Sequence, residues 1–313
     1  YDDDLYVEEV KTHYSNFRLK AQNSVAALAL PINEESALEV SKYRRNEVYE
    51  DRWEKGGVPF IAAFQDLNFN RQANETAAEF VRSKIKTLVN DHKTAEMLTP
   101  KYPIGCKRLA VDSNYYETFN KPNISLIDLN REPLDEFITN GLSTDKSIYD
   151  LDVIILATGF DAMTGTLFNI DIQGRNNIKL IDKWAEGPKT YLGLSIESFP
   201  NFFTISGPGS PSVLTNMIVS IEQHVNWIFD CLKFMKNNKK TIIEASLEAE
   251  KKWVKHNQDV STDHVRSSCS SWYIGANIKG KAKIFMPYVG GYSNYVEKCK
   301  QVSENNYEGF IVK

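Results

Sequence analysis

Three short stretches carry residue types that could bind or transform a ligand. Gly207-Pro208-Gly209-Ser210-Pro211 follows an apolar run, Asn201 to Ser206, and precedes a long apolar-patterned segment. Glycine lets the backbone approach a ligand closely. A helix start then offers free N–H groups and a positive dipole end to a pyrophosphate or an anionic flavin edge. A tight structural turn ahead of a core helix would use the same residues. Asp152 to Gly159 places five apolar residues before Thr158-Gly159. Ligands gather outside the carboxyl ends of strands in open α/β sheets, though many such strands end in glycine and bind nothing. Gly105-Cys106-Lys107-Arg108 sets adjacent cations after a proline-rich bend. Arginine stays charged and can hold phosphate bidentately or stabilise an oxyanion; the plain alternative is a solvated surface pair.

Other chemistry-bearing residues are less pointed. Cys106, Cys231, Cys269 and Cys299 lie far apart, without CxxC or histidine-paired spacing. That pattern argues against a zinc site or a small disulfide scaffold, and no metal is expected. Cys106 has no nearby histidine to activate it. The five histidines show no ligand spacing, and His224 reads as a packing residue. Trp272, beside Tyr273, is a core aromatic or an indole N–H donor to a ligand. No GxGxxG occurs, although a Rossmann unit binding a dinucleotide should carry one.

The elements that must position these residues follow from periodicity. Residues 1–103 read mainly as helix, with Ala77, Val81, Ile85 and Leu88 on one face and Phe80 and Val89 beside them. Pro100 and Pro103 mark a boundary. Ile124 to Ile127 is a strand candidate, and Glu136 to Thr144 a hairpin turning through Asn140-Gly141 as a type I′ turn. Val153 to Ala157 has the continuous apolar character of a strand buried in a parallel sheet. Asn201 to Ser206 is a second strand candidate. The long helix that follows is expected to open with Ser210 as N-cap and Pro211 as first residue. Its apolar stripe is Val213, Leu214, Met217, Ile218, Ile221, Val225, Ile228, Phe229 and Leu232. A shorter helix opens at Ser246 and carries Glu248, Glu250 and Trp253.

Bulk properties bound the function. The 313 residues, with 41 acidic against 37 basic side chains, give a net charge of −4. Length suggests two domains or one large one. Mild acidity leaves no electrostatic footprint for nucleic acid, and no apolar run approaches the ~20 residues that span a membrane. The acidic opening, Tyr1-Asp2-Asp3-Asp4, lacks the apolar core of a signal peptide. It also lacks an initiator methionine, so the numbered chain need not begin where translation begins. With scattered cysteines, a reducing, cytoplasmic setting is expected.

Taken together, the segments resemble the Baeyer–Villiger monooxygenases, which use FAD and NADPH. The matching stretches are Pro103 to Arg108, Tyr115 to Asn120, Leu156 to Gly165, Gly207 to Ser212, Ser220 to His224 and Ser271 to Asn277. They extend over essentially the whole chain. The family's FAD fingerprint, its histidine- and tryptophan-containing signature and its NADPH glycine loop precede the part matched here. The resemblance therefore implies the C-terminal portion of such an enzyme. The implied fold class is α/β: a helical region (1–103), the second half of a Rossmann-like NADPH domain (104–151) and the second half of a Rossmann-like FAD domain (152–313).

By position, Arg108 matches the active-site arginine facing flavin and nicotinamide, Lys107 an NADPH-binding residue, and Trp272 an indole donor on the NADPH side. Met217 matches a backbone contact to the flavin, and 210–217 the loop shaping the substrate pocket. Ile104 and Cys106 depart from the usual Phe and Thr, which alters pocket shape. The implied reaction reduces FAD with NADPH and uses O2 to convert a ketone to an ester or lactone. An N-terminal FAD/NADPH half is expected in the same or a partner chain, and this portion alone is expected to be inactive and poorly soluble. The alternatives are oxygenation of sulfur or nitrogen, and a non-catalytic half-protein that needs a partner chain.

Overall fold

A computed structural model describes residues 7–30 and 32–313; the acidic opening Tyr1–Asp4 lies outside them. The chain forms two compact units. One comprises residues 34–67 and 71–160; the other comprises 161–313, residues 68–70 and the described part of 1–33.

In the first unit, α1 (Lys42–Lys55) is capped by the Ser41 side chain, which accepts from the N–H of Arg44, and ends at Gly56 with φ +70°. The next helices are α2 (Arg71–Leu88) and α3 (His92–Leu98). The expected face of α2 points inward, with Ala77 and Ile85 fully buried. Tyr49 of α1 sits edge-on to Phe64, with ring centroids 5.3 Å apart, and its hydroxyl meets Thr76 Oγ1 at 2.7 Å. Burial of that phenol pushes its pKa up to about 12.

The strands of this unit are β1 (Leu134–Ile138), β2 (Gly141–Thr144) and β3 (Ile148–Asp150), paired antiparallel in sequence order. The expected hairpin is there, but Ile138 pairs with Gly141, so Thr139 and Asn140 form the loop. Neither has positive φ, which type I′ requires, so the turn is of another kind.

The second unit is built on α4 (Met217–Asn237), β4 (Ile243–Ala245), α5 (Leu247–Ser261), α6 (Tyr292–Glu304) and β5 (Phe310–Val312). β4 and β5 pair antiparallel. Trp227, Cys231 and Met235 of α4 join Leu192, Leu194, Trp253, Tyr295, Cys299 and Tyr307 in its main core. Ser246 caps α5 as expected, accepting from the N–H of Ala249.

The fold is mixed α/β, but several expected elements differ. No described strand pairs parallel. Ile124 to Ile127 and Val153 to Ala157 are irregular, and Asn201 to Ser206 contributes only one bridge, Ser195 to Phe203. Val153, Ile155 and Leu156 are 74%, 85% and 68% exposed. A strand exists only where neighbours take its N–H and C=O groups, and no described strand lies beside this run.

α4 also starts later than expected. Ser210 bonds back to Gly207 O, Ser212–Leu214 forms a single 3₁₀ turn, and Asn216 is the N-cap, accepting from the N–H of Ile218. The expected stripe is largely the outer one: Ile218, Val225, Phe229 and Leu232 are exposed. The inner face is Val219, Ser220, His224, Trp227, Cys231 and Met235. α4 is apolar on two faces, and periodicity does not say which of them meets this chain's own core.

Candidate functional site

Lys107 and Arg108 lie on an exposed loop of the first unit. The loop is fixed from behind. Asn74, fully buried on α2, donates through Nδ2 to Leu67 O and Ile104 O, both at 2.9 Å, and its Oδ1 accepts the Ile104 N–H at 3.0 Å. Gly105 follows with φ +78°, and Cys106 donates back to Pro103 O at 3.2 Å. The two cations are thus presented from a backbone anchored at Ile104, three and four residues earlier. Lys107 Nζ lies 5.0 Å from the centre of the Tyr102 ring, a cation–π contact. Arg108 makes no ion pair with any described residue, so its guanidinium is available to an anion.

The glycine turn belongs to the second unit, and its interior explains its composition. Residues 207–212 are buried. They pack back to back with residues 190–194: Thr190 Oγ1 donates to Pro208 O at 2.7 Å and Thr204 Oγ1 to Gly193 O at 2.9 Å. A Cβ on Gly193 would lie 2.4 Å from Ser210 N, and one on Gly207 would lie 2.4 Å from Thr204 Oγ1. Gly209 donates to Met286 O at 2.7 Å and accepts from the Trp253 indole at 2.9 Å. These glycines therefore serve close approach of one loop to another within the protein. The Gly209 N–H is already engaged, so the anion-cradle reading fails at that atom. Met217, half-buried at the start of α4 beside exposed Ile218, lies where the helix opens.

Trp272 is half-buried in a 3₁₀ turn, Trp272–Ile274, closed by Gly275 at φ +72°. Its ring lies 4.1 Å from Tyr273, and no described residue accepts its indole N–H. Nearby in sequence, His264 is buried and accepts from the Arg266 N–H at 3.2 Å. Burial first, and then the Arg266 charge, hold its pKa down to about 3.

The structure places Lys107 and Arg108 on the first unit and Trp272 and Met217 on the second, all four named by sequence reasoning. That reasoning missed Asn74, a helical amide with no motif around it. It also gave no role to the buried carboxylates around 196–198. Glu250 accepts from Glu197 N–H at 2.8 Å and pairs with Lys183 at 3.2 Å; its pKa is raised, chiefly by burial. Glu244 accepts from Ser198 N–H at 2.9 Å and from Arg175 Nε at 2.6 Å. Both are bonded to backbone, so their work is to hold this loop. Among the described residues no three His, Cys, Asp or Glu side chains gather as metal ligands, and no helix is long and apolar enough to cross a membrane.

No protein-family model matches the chain. It is 39% identical over 280 residues to the 2-oxo-Δ3-4,5,5-trimethylcyclopentenylacetyl-CoA monooxygenase of Pseudomonas putida, covering 87% of this chain and 51% of that protein. It is 37% identical over 312 residues to a Baeyer–Villiger monooxygenase of Pseudooceanicola batsensis, covering 99% and 57%. It is 33% identical to a phenazine N-monooxygenase of Lysobacter antibioticus, with the same two coverages, 99% and 57%. Among solved structures, an oxidized steroid monooxygenase bound to NADP superposes with TM-score 0.92 at 42% identity, over 97% of this chain and 57% of the other. The OTEMO complex with FAD and NADP gives TM-score 0.94 at 34% identity, over 98% and 57%. The chain thus spans little more than half the length of the relatives it matches.

Proposed function

The chain belongs to the Baeyer–Villiger monooxygenase family, and from that premise we propose that it is the C-terminal part of an FAD- and NADPH-dependent enzyme inserting one oxygen atom beside a ketone carbonyl. The observation that carries the reading is likeness over nearly the whole chain to a steroid monooxygenase bound to NADP and to the OTEMO complex with FAD and NADP. In this reading residues 1–103 are the helical region, 104–151 the second half of a Rossmann-like NADPH domain, and 152–313 the second half of a Rossmann-like FAD domain.

The residues fit such cofactors chemically. Trp272 offers an indole N–H that no described residue accepts, Arg108 a guanidinium that no described carboxylate pairs, and Lys107 an exposed ammonium. When bound, FAD reduced by NADPH would supply the chemistry that activates O2, one oxygen atom going to the ketone and the other leaving as water. The protein's own part is charge and position. Arg108 stabilises the negative charge that develops as the ketone is attacked, which a planar, permanently charged group does well. Lys107 and Trp272 hold NADPH, the start of α4 at Met217 meets the flavin, and residues 210–217 shape the pocket.

The outer face of α4 and the exposed run Val153 to Leu156 fit a further role. Clustered exposed apolar side chains mark surfaces that another protein segment covers. We assign their cover to the FAD- and NADPH-fingerprint half, in the same or a partner chain. Alone, these 313 residues are inactive in this reading.

The test uses the full protein that contains this chain, supplied with FAD, NADPH, O2 and cyclic or linear ketones. Ester or lactone formation is expected. Arg108→Ala should retain FAD and lose about a hundredfold or more in oxygenation rate. FAD binding and NADPH consumption without ester would overturn the assignment. Oxygenation of nitrogen or sulfur is the second reading, favoured by the likeness to the phenazine N-monooxygenase. Amine and sulfide turnover beside ketone turnover measures it.

A further inference from the structure

Ser206 and Ser212 bracket the glycine turn, and both are non-glycine residues in left-handed backbone, with φ +54° and +45°. Such conformations persist where the surroundings enforce them. Ser206 is held from two sides: its N–H donates to Nδ1 of His224 at 2.9 Å, and its carbonyl accepts the Ser212 hydroxyl at 3.0 Å. Because Nδ1 accepts, the proton of the neutral imidazole sits on Nε2. Nε2 lies 2.8 Å from the Tyr295 hydroxyl, which accepts from it and donates onward to Leu192 O at 2.7 Å. Leu192 is itself left-handed, with φ +59°, and precedes Gly193 in the facing loop. His224 and Tyr295 are fully buried.

We infer that His224 is the positioning residue of residues 206–212, locking this turn to the facing loop 190–194 through Ser206, Tyr295 and Leu192. The other neutral tautomer does not serve. It would set an Nδ1–H against the Ser206 N–H and leave two buried donors without acceptors. Burial holds the imidazole down to about 4, so the accepting form is the one present near neutrality. His224 therefore fixes the turn that leads into residues 210–217 and the start of α4, where the flavin contact is proposed, and only the cofactor arm of its test rests on that proposal.

The test compares His224→Leu, His224→Gln and Cys231→Ala in the full protein. Cys231 is buried on the same helix and makes no contact with the turn's hydrogen bonds. Amide exchange of 206–212 should accelerate about tenfold or more in His224→Leu, as loss of a buried acceptor implies, and stay near wild type in Cys231→Ala. His224→Gln, whose amide can both accept and donate, should fall between. The FAD dissociation constant should rise about tenfold in His224→Leu and change less than about twofold in Cys231→Ala. Unchanged exchange in His224→Leu, or equal opening in Cys231→Ala, would overturn the inference. Should His224→Leu fail to fold, Tyr295→Phe replaces it, since it strands the Nε2–H and should loosen the same segment. If the wild type binds no flavin, the functional reading fails, and the exchange measurement still decides the role of His224.

Discussion

Replacing Asn74 with alanine tests whether the Arg108 loop is anchored from α2. The amide makes three hydrogen bonds from a fully buried position, two of them to the backbone of Ile104. At about 1 kcal/mol net for each bond, the loss is about 3 kcal/mol. The Ile104 N–H left behind without an acceptor pushes the loss above that figure. Asn74→Asp should be worse, because it keeps the acceptor, removes both donors and sets a carboxylate against two carbonyl oxygens. Urea denaturation of the full protein gives the stability change, and a fall of roughly 2–4 °C in melting temperature per kcal/mol is the thermal counterpart. Amide exchange at 104–108 reads the local effect, which should exceed that at β1–β3 in the same unit. The reasoning is refuted if Asn74→Ala costs less than about 0.5 kcal/mol, the range of an ordinary surface change. It is refuted equally if the protein weakens uniformly while 104–108 keeps its protection.

Acid should weaken the fold through its buried histidines. The pKa values of His224 and His264 are depressed from 6.5 to about 4 and about 3, so their contribution is complete above pH 6.5 and is lost as pH falls. Each should cost roughly 2.5 kcal/mol between pH 7 and 4.5, because the unfolded chain takes up the protons. A melting temperature whose slope against pH is no shallower in His224→Gln would contradict this for His224. Gly193→Ala, with a Cβ 2.4 Å from Ser210 N and φ +68°, should be far more damaging than Gly56→Ala, where φ is +70° but nothing lies within 4 Å. Equal losses, near the roughly 1–2 kcal/mol of left-handed backbone alone, would mean the two loops are not in close contact. Phe229→Lys should raise the soluble fraction of the isolated 313-residue chain without lowering its melting temperature. Clear destabilisation would mean that Phe229 is packed within this chain.

What could be read from the sequence was set by whether an element's partners lie within the chain. α2 and α5 were legible because a helix satisfies its own backbone and needs only one neighbour for its stripe. The hairpin was legible for the same reason: β1 and β2 supply each other's partners, although its turn used Thr139 and Asn140 rather than Asn140 and Gly141. Val153 to Ala157 has the composition of a buried strand, yet a strand is a relation between segments, and no described strand stands beside this run. α4 poses the same problem on a helix. Its outer face is at least as apolar as its inner one, and the inner face succeeds by placing Trp227, Cys231 and Met235 in the main core with Leu192, Leu194 and Trp253. The candidate site divides likewise. Lys107 and Arg108 were visible because charge beside a proline bend is a local pattern. Asn74, thirty residues before the backbone it grips, leaves no local trace, nor does the route from His224 to Leu192. Gly207 and Gly209 were seen, with a ligand contact and a tight turn both open, while Gly193 was not singled out; Gly193 and Gly207 are needed for one loop to lie against another. A glycine reports only that something comes close, and the sequence does not say whether that is a cofactor or the protein itself.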